Sequence, residues 1–282
     1  MSFIHPKKLK RRLKYFILIA LGLYVMLASS LYFIQEKLLF LPTQLPQDYV
    51  FEFRHNFEEV FLNTDDNATI NAIHFKADEP QGVILYFHGN AGDLSRWGTI
   101  AEYFVGLDYD VLIMDYRTYG KSVGSISEKA LYADAQMCYD YLLQHGYSKE
   151  DIVLYGRSLG TGIASYLASE NTARQLILET PYYSIEDVAK HRFPYLPVKR
   201  LLKYKLPTHA YLESVKCPTL IVHGTDDYVV PFSSGKKLSE LNLPHVEFIT
   251  VEGGSHNNLI EFDAYLAAMN THLKYKKGSK MN

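Results

Sequence analysis

The chain has 282 residues and carries 29 Lys and Arg against 31 Asp and Glu, a formal net charge of −2. With 48% apolar and 21% charged residues it has a globular composition, which excludes a mainly disordered chain. No surplus of cations exists to neutralise phosphates, which argues against a general nucleic-acid binder, and two cysteines are too few for a disulfide scaffold or a cysteine-based zinc site.

Residues 15–34 contain no charge and are almost wholly apolar or aromatic. Twenty residues at about 1.5 Å rise span about 30 Å, the thickness of a bilayer's hydrocarbon core. Lys7, Lys8, Lys10, Arg11, Arg12 and Lys14 precede this run, whereas Glu36 and Lys37 after it cancel. The positive-inside rule then puts a basic tail, residues 1–14, in the cytoplasm and the rest of the chain across the membrane. A cleaved signal peptide is the rival, with Ala28-Ser29-Ser30 as a small-residue site. The apolar run is long for that role and continues past the site. Residues 35–56, with Pro42 and Pro46, read as a connector.

Short apolar runs at 57–62, 69–75, 82–87, 110–116, 152–155, 175–178, 218–223 and 246–251 read as strands, with helical stretches between most of them. That alternation predicts an α/β domain over residues 57–282, with a mostly parallel sheet covered by helices on both sides. In 125–146, Ser125 and Glu128 form a capping box and Gly146 is the stop; Leu131, Ala135, Cys138 and Leu142 share one face. Cys138 is therefore expected to be a buried small hydrophobe, and Cys217, beside Pro218 and a strand, to be structural.

Gly156-Arg157-Ser158-Leu159-Gly160 follows a strand and precedes a helix-compatible run. A serine on so tight a turn needs small neighbours two residues to either side, and the turn pushes its Oγ outward. Serine requires a base and the base an orienting acid, on loops after later strands in the order acid, then histidine. Strand 218–223 runs into Gly224-Thr225-Asp226-Asp227-Tyr228-Val229-Val230-Pro231, and strand 246–251 into Glu252-Gly253-Gly254-Ser255-His256. Of eleven histidines only His256 lies in a glycine-rich loop after the last strand; His145, His223 and His272 sit in or beside regular elements. Adjacent loop residues point in different directions, so one of Asp226 and Asp227 is expected to reach His256. After strand 82–87 comes His88-Gly89-Asn90-Ala91-Gly92, whose glycines let backbone N–H groups approach a developing oxyanion.

At this point the chain resembles the α/β-hydrolase superfamily, with the likeness running from residue 57 to residue 273. The family's acid loop often reads Gly-x-x-Asp-x-x-Val-Pro, and matching Gly224 and Val230-Pro231 to it selects Asp227. By the same resemblance the oxyanion donors are the backbone N–H groups of Asn90 and Leu159, and His88 is a loop-packing residue. Asp115-Tyr116-Arg117-Thr118-Tyr119-Gly120-Lys121-Ser122 is similar to the family's Asp-Tyr-Arg-Gly-Tyr-Gly-x-Ser turn, with Thr118 where Gly is commoner. The nearest subgroup looks like membrane-anchored, serine aminopeptidase-like or depalmitoylase-like hydrolases.

Residues 181–215 fit a small cap. Tyr182, Tyr183, Phe193, Tyr195, Tyr204 and Tyr211 make it aromatic, and Lys190, Arg192, Lys199, Arg200, Lys203 and Lys205 make it basic. An aromatic cap suits an acyl chain or an aromatic ester; the basic patch reads first as a solvated face, and contact with anionic headgroups on an anchored domain is the alternative. The expected function is a serine hydrolase of carboxylic esters or thioesters acting through an acyl-enzyme, with Ser158 as nucleophile, His256 as base and Asp227 as its partner. A serine peptidase is the runner-up, and a non-catalytic membrane-anchored binding protein the third. No metal or organic cofactor is expected. The expected partners are a small-molecule or lipid-like acyl substrate and, through the N-terminal helix, the membrane, with no nucleic acid.

Overall fold

The structure, a computed structural model, describes residues 6–274; the first five residues of the expected basic tail and the last eight of the chain lie outside it. Helix α1 (Pro6–Leu39) holds the charge-free run and extends past it at both ends, so the described part of the tail, residues 6–14, is helical. Its 34 residues are about 51 Å long at about 1.5 Å rise. It is the one helix among the described residues long and apolar enough to cross a membrane.

Beside two short strands, β1 (Leu41–Pro42) and β5 (Ala91–Gly92), the main sheet has eight: β2 (Phe57–Asn63), β3 (Thr69–Phe75), β4 (Val83–Phe87), β6 (Asp110–Met114), β7 (Ile152–Arg157), β8 (Gln175–Glu179), β9 (Thr219–Gly224) and β10 (Val246–Val251). Their order is β10-β9-β8-β7-β4-β6-β3-β2, and β3 alone runs against the rest. Helices cover both faces, as expected. α2 (Leu94–Val105) and α9 (Asp263–Leu273) pack on one side, and α3 (Glu128–Gln144), α4 (Gly160–Glu170) and α8 (Phe232–Ser239) on the other. Strands β4, β6, β7, β8 and β9 are buried at every position, which is why they read as unbroken apolar runs rather than alternating ones. Each fully buried Ile or Leu there contributes about 1.5–3 kcal/mol of transfer free energy.

Strand register puts the chemistry-bearing loops side by side. Phe87 at the end of β4 pairs with Gly156 of β7, so the loops carrying His88-Gly89 and Ser158 leave the sheet together. Val251 pairs with Gly224, so the loops carrying His256 and Asp227 do the same. Between β8 and β9 lie α5 (Ile185–Arg192), α6 (Val198–Leu201) and α7 (Thr208–Leu212), within the stretch read as a cap.

Two local readings change in detail. Helix α3 is capped by Ser127, whose Oγ accepts the Ala130 N–H at 3.1 Å, and not by Ser125. Glu128 is thereby freed to accept the N–H groups of Lys205 and Leu206, joining α3 to the segment between α6 and α7. The stretch read as a connector is also more than a tether. Residues Leu41–Pro42 form β1, a short parallel strand against β5 (Ala91–Gly92). As expected, Gly146 with φ +90° follows the C-cap of α3, and Cys138 and Cys217 are buried free thiols. Burial pushes both thiols up, Cys217 to about 11, so neither is a nucleophile at neutral pH.

Thr118, where the resembling turn prefers glycine, sits at φ +77°. A β-branched residue in the left-handed region costs about 1–3 kcal/mol, from which glycine's extra freedom in the unfolded chain subtracts about 0.5–1. Thr118→Gly is expected to stabilise the fold by about 1 kcal/mol, and a lower or unchanged urea midpoint would contradict this.

Candidate active site

Ser158 occupies the turn between β7 and α4 at φ +50°. The turn is possible because strand and helix nearly touch on either side of it. A Cβ on Gly156 would stand 2.5 Å from the Gly160 carbonyl oxygen, and one on Gly160 would stand 2.0 Å from that of Phe87. Backbone bonds lock the strained residue: its N–H donates to the Glu179 carbonyl at 2.9 Å, and its own carbonyl accepts from Thr161 N–H at 2.9 Å and Thr161 Oγ1 at 2.6 Å. The N-terminus of α4 starts two residues on, adding a positive helix end beside Oγ.

His256 brings its Nε2 to 2.9 Å from Ser158 Oγ and its Nδ1 to 2.7 Å from Asp227 Oδ2. The neighbouring Asp226 is exposed, and the side chain that reaches the imidazole is that of Asp227. Asp227 Oδ1 accepts the N–H groups of Val229 and Val230, both at 2.8 Å. Burial disfavours the charged carboxylate, but hydrogen bonds from His223, His256 and the Val230 N–H outweigh it, and Asp227 is held well below the usual carboxylate range. An ionised carboxylate only accepts, so Nδ1 of His256 carries the proton and Nε2 is left to accept from Ser158.

The segment at 88–91 is held carbonyl by carbonyl. The His88 carbonyl accepts from Tyr116 OH at 2.7 Å, and that of Gly89 from His88 Nδ1 at 2.6 Å. The Asn90 carbonyl accepts from Leu41 N–H and Tyr119 OH, each at 2.8 Å, and that of Ala91 from Trp97 Nε1 at 2.7 Å. A trans peptide points its N–H opposite to its carbonyl, so anchoring the Gly89 oxygen sets the direction of the Asn90 N–H. Gly89 runs beside the serine: its Cβ, if it had one, would lie 3.7 Å from Ser158 Cβ. His88 itself is fully buried, tilted against Tyr116 and 3.3 Å from Asp115, in keeping with a packing role. Burial pushes the Asp115 carboxyl up.

Two contributors were not singled out from sequence. His223, set aside as a strand histidine, places Nε2 3.0 Å from the Val230 carbonyl and 3.3 Å from Asp227 Oδ2, bracing the acid from behind. Its signal was the four-residue spacing to Asp227 at a strand end. Arg157, beside the serine, turns to the α2 face, where it meets Glu179 at 3.3 Å and the carbonyl of His256 at 3.3 Å and lies over the Trp97 ring. It thereby ties the serine turn to the histidine loop. No group of His, Cys, Asp and Glu among the described residues is arranged to hold a metal ion.

The depressed pKa of Asp227 ties stability to pH. Its ionised form stabilises the native state above the unfolded carboxylate pKa of about 4, and this contribution is lost as pH falls through the folded value. Urea titrations of wild type and Asp227→Asn are expected to differ most near neutral pH and to converge in acid below about pH 4. A gap independent of pH would contradict this.

Residues 78–211 match the family described as serine aminopeptidase, S33. Protein bem46 of Schizosaccharomyces pombe is 33% identical over 235 residues, covering 78% of each chain. The lysophosphatidylserine lipase ABHD12 of Danio rerio is 30% identical over 284 residues, covering 82% of this chain and 72% of that one. Among solved structures, the esterase Pf2001 of Pyrococcus furiosus superposes with a TM-score of 0.64 at 19% identity, over 82% of this chain and 96% of its own, a likeness of fold. Sequence relatives and sheet topology agree that this chain is a hydrolase and belongs to the α/β-hydrolase superfamily.

Proposed function

We propose that the protein is a serine hydrolase that cleaves carboxylic esters or thioesters through an acyl-enzyme. The observation that carries this reading is the unbroken chain from Asp227 through His256 to Ser158, with links of 2.7 and 2.9 Å. In the first half-reaction His256 Nε2 takes the proton of Ser158 as Oγ attacks the carbonyl carbon. The resulting imidazolium is stabilised by Asp227. The negative oxygen of the tetrahedral intermediate is received by the N–H groups of Asn90 and Leu159. Collapse of the intermediate breaks the bond to the leaving alcohol or thiol, which takes the proton from His256. Water, deprotonated in turn by His256, then attacks the acyl-enzyme; as the second intermediate collapses, the bond to Oγ breaks, His256 returns the proton to Ser158, and the acid leaves.

An aminopeptidase reading, suggested by the description of the matching family, calls for a carboxylate to receive a free amine. The buried carboxylates around the serine are already engaged. Asp227 is held by two histidines, Glu179 by Arg157 and Tyr155, and Asp115 by His88 and the Leu94 N–H. This favours esters and thioesters, as does the activity in the name of the lipase relative.

In the same reading α1 is retained as a single-pass anchor with its N-terminus in the cytoplasm and the catalytic domain, with its cap at 181–215, outside. Retention is supported by contacts on both sides of Ala28-Ser29-Ser30. Tyr24 OH donates to the Tyr195 carbonyl at 3.1 Å, and the Gln35 amide meets the Leu201 carbonyl at 3.0 Å and the Lys203 N–H at 2.8 Å.

Ser158→Ala is expected to lower kcat on p-nitrophenyl acyl esters by roughly a million-fold while the protein remains folded. Equal turnover by variant and wild type would sink the proposed nucleophile. Faster wild-type cleavage of aminoacyl amides than of esters would move the assignment to the peptidase reading.

A further inference from the structure

The tip of the cap sets an exposed aromatic between prolines and cations. Between α5 and α6 runs Phe193-Pro194-Tyr195-Leu196-Pro197. Tyr195 is 90% exposed, whereas Phe193 and Leu196 are half-buried and line an apolar crevice of about 70 Å³ with Leu31 and Leu38 of α1. Cations flank the tip on both sides. Arg192, Lys199, Arg200 and Lys205 are exposed and form no ion pair among the described residues, whereas Lys190 and Lys203 are paired with Glu186 and Glu36. An aromatic, proline-bounded tip between uncompensated cations is costly to leave in water and matches the boundary between acyl chains and anionic headgroups.

Its place along α1 gives the depth. The cap follows the helix from Gln35 and Glu36, which meet Leu201 and Lys203, to Tyr24, which meets Tyr195. Tyr24 lies ten residues inside the end of the charge-free run, about 15 Å along the helix axis, a depth that tilt shortens. Long basic side chains at 192, 199 and 200 can reach back to the surface from beside an inserted tip.

We infer that the segment 193–197 of the cap inserts into the outer leaflet beside α1, with Arg192, Lys199 and Arg200 on anionic headgroups. This rests on the anchoring reading of α1 given above. The cap is then wetted by lipid rather than water, and an acyl substrate reaches it from within the leaflet. The occupant is a bilayer because the tip packs against a helix long and apolar enough to cross one and because its charges complement acidic lipid.

The test uses the full chain in vesicles of phosphatidylcholine and phosphatidylglycerol, doped with lipid carrying a doxyl label on the acyl chain. Environment-sensitive fluorophores are placed singly by Tyr195→Cys, Met26→Cys and Lys149→Cys; Cys138 and Cys217 are buried and do not compete. Tyr195 gives its carbonyl, not its ring, to Tyr24, so the substitution leaves that contact intact. Probes at 26 and 195 are expected to shift to the blue and be quenched by doxyl lipid, while the probe at 149, on a distant exposed loop, stays in water. Quenching at 26 but not at 195 overturns the inserted cap and leaves the anchor standing; loss of both overturns the anchor and the cap together. Equal quenching at 195 in phosphatidylcholine alone overturns the part assigned to the cations.

Discussion

Everything at this site hangs on one strained residue. Ser158 is held at a positive φ in a turn so tight that the residues two before and two after it have no room for a side-chain carbon. The strain is worth about 1–3 kcal/mol, and it persists because the flanking strand and helix are welded into the core of the domain. Projecting Oγ, crowding α4 against the end of β4 and bringing Gly89 alongside are three results of that single geometry. A looser turn would relieve the backbone and lose all three.

Around this turn the protein fixes backbone rather than side chains. Four successive carbonyls, 88 to 91, are each taken by a donor from a different place: Tyr116, the His88 ring, Leu41 with Tyr119, and Trp97. The tyrosines serve because each couples a ring that packs in the core to a hydroxyl that finishes a hydrogen bond. Because a trans peptide points its N–H opposite to its carbonyl, anchoring these oxygens also fixes the directions of the N–H groups in the same peptides.

What was legible in the sequence follows from which constraints are local. The serine turn could be read because its small flanking residues are a local steric demand, and the acid and base loops because parallel strands release their loops at one edge in a set order. Asp227 rather than Asp226 needed the resemblance in addition, since both stand in the same loop. The buried strands were legible as apolar runs. Illegible were particular side-chain contacts: His223 on Asp227, Arg157 on the histidine loop, Glu128 on the Lys205 and Leu206 N–H groups. Helix capping misled by two residues at Ser125, because Ser127 offers the same hydroxyl and Glu128 accepts the Lys205 and Leu206 N–H groups instead. Residues 35–56, with their prolines, look like slack chain, and nothing local says that Leu41 meets Asn90.

That meeting has a consequence for how the enzyme is oriented. Helix α1 ends at Leu39, and two residues later the chain is hydrogen-bonded into the loop beside Ser158. A domain joined to such a helix by a long flexible segment would tumble relative to it. Here no such segment intervenes. The loops around Ser158 keep one bearing relative to the helix axis, and the loss of rotational freedom is met once, when the chain folds.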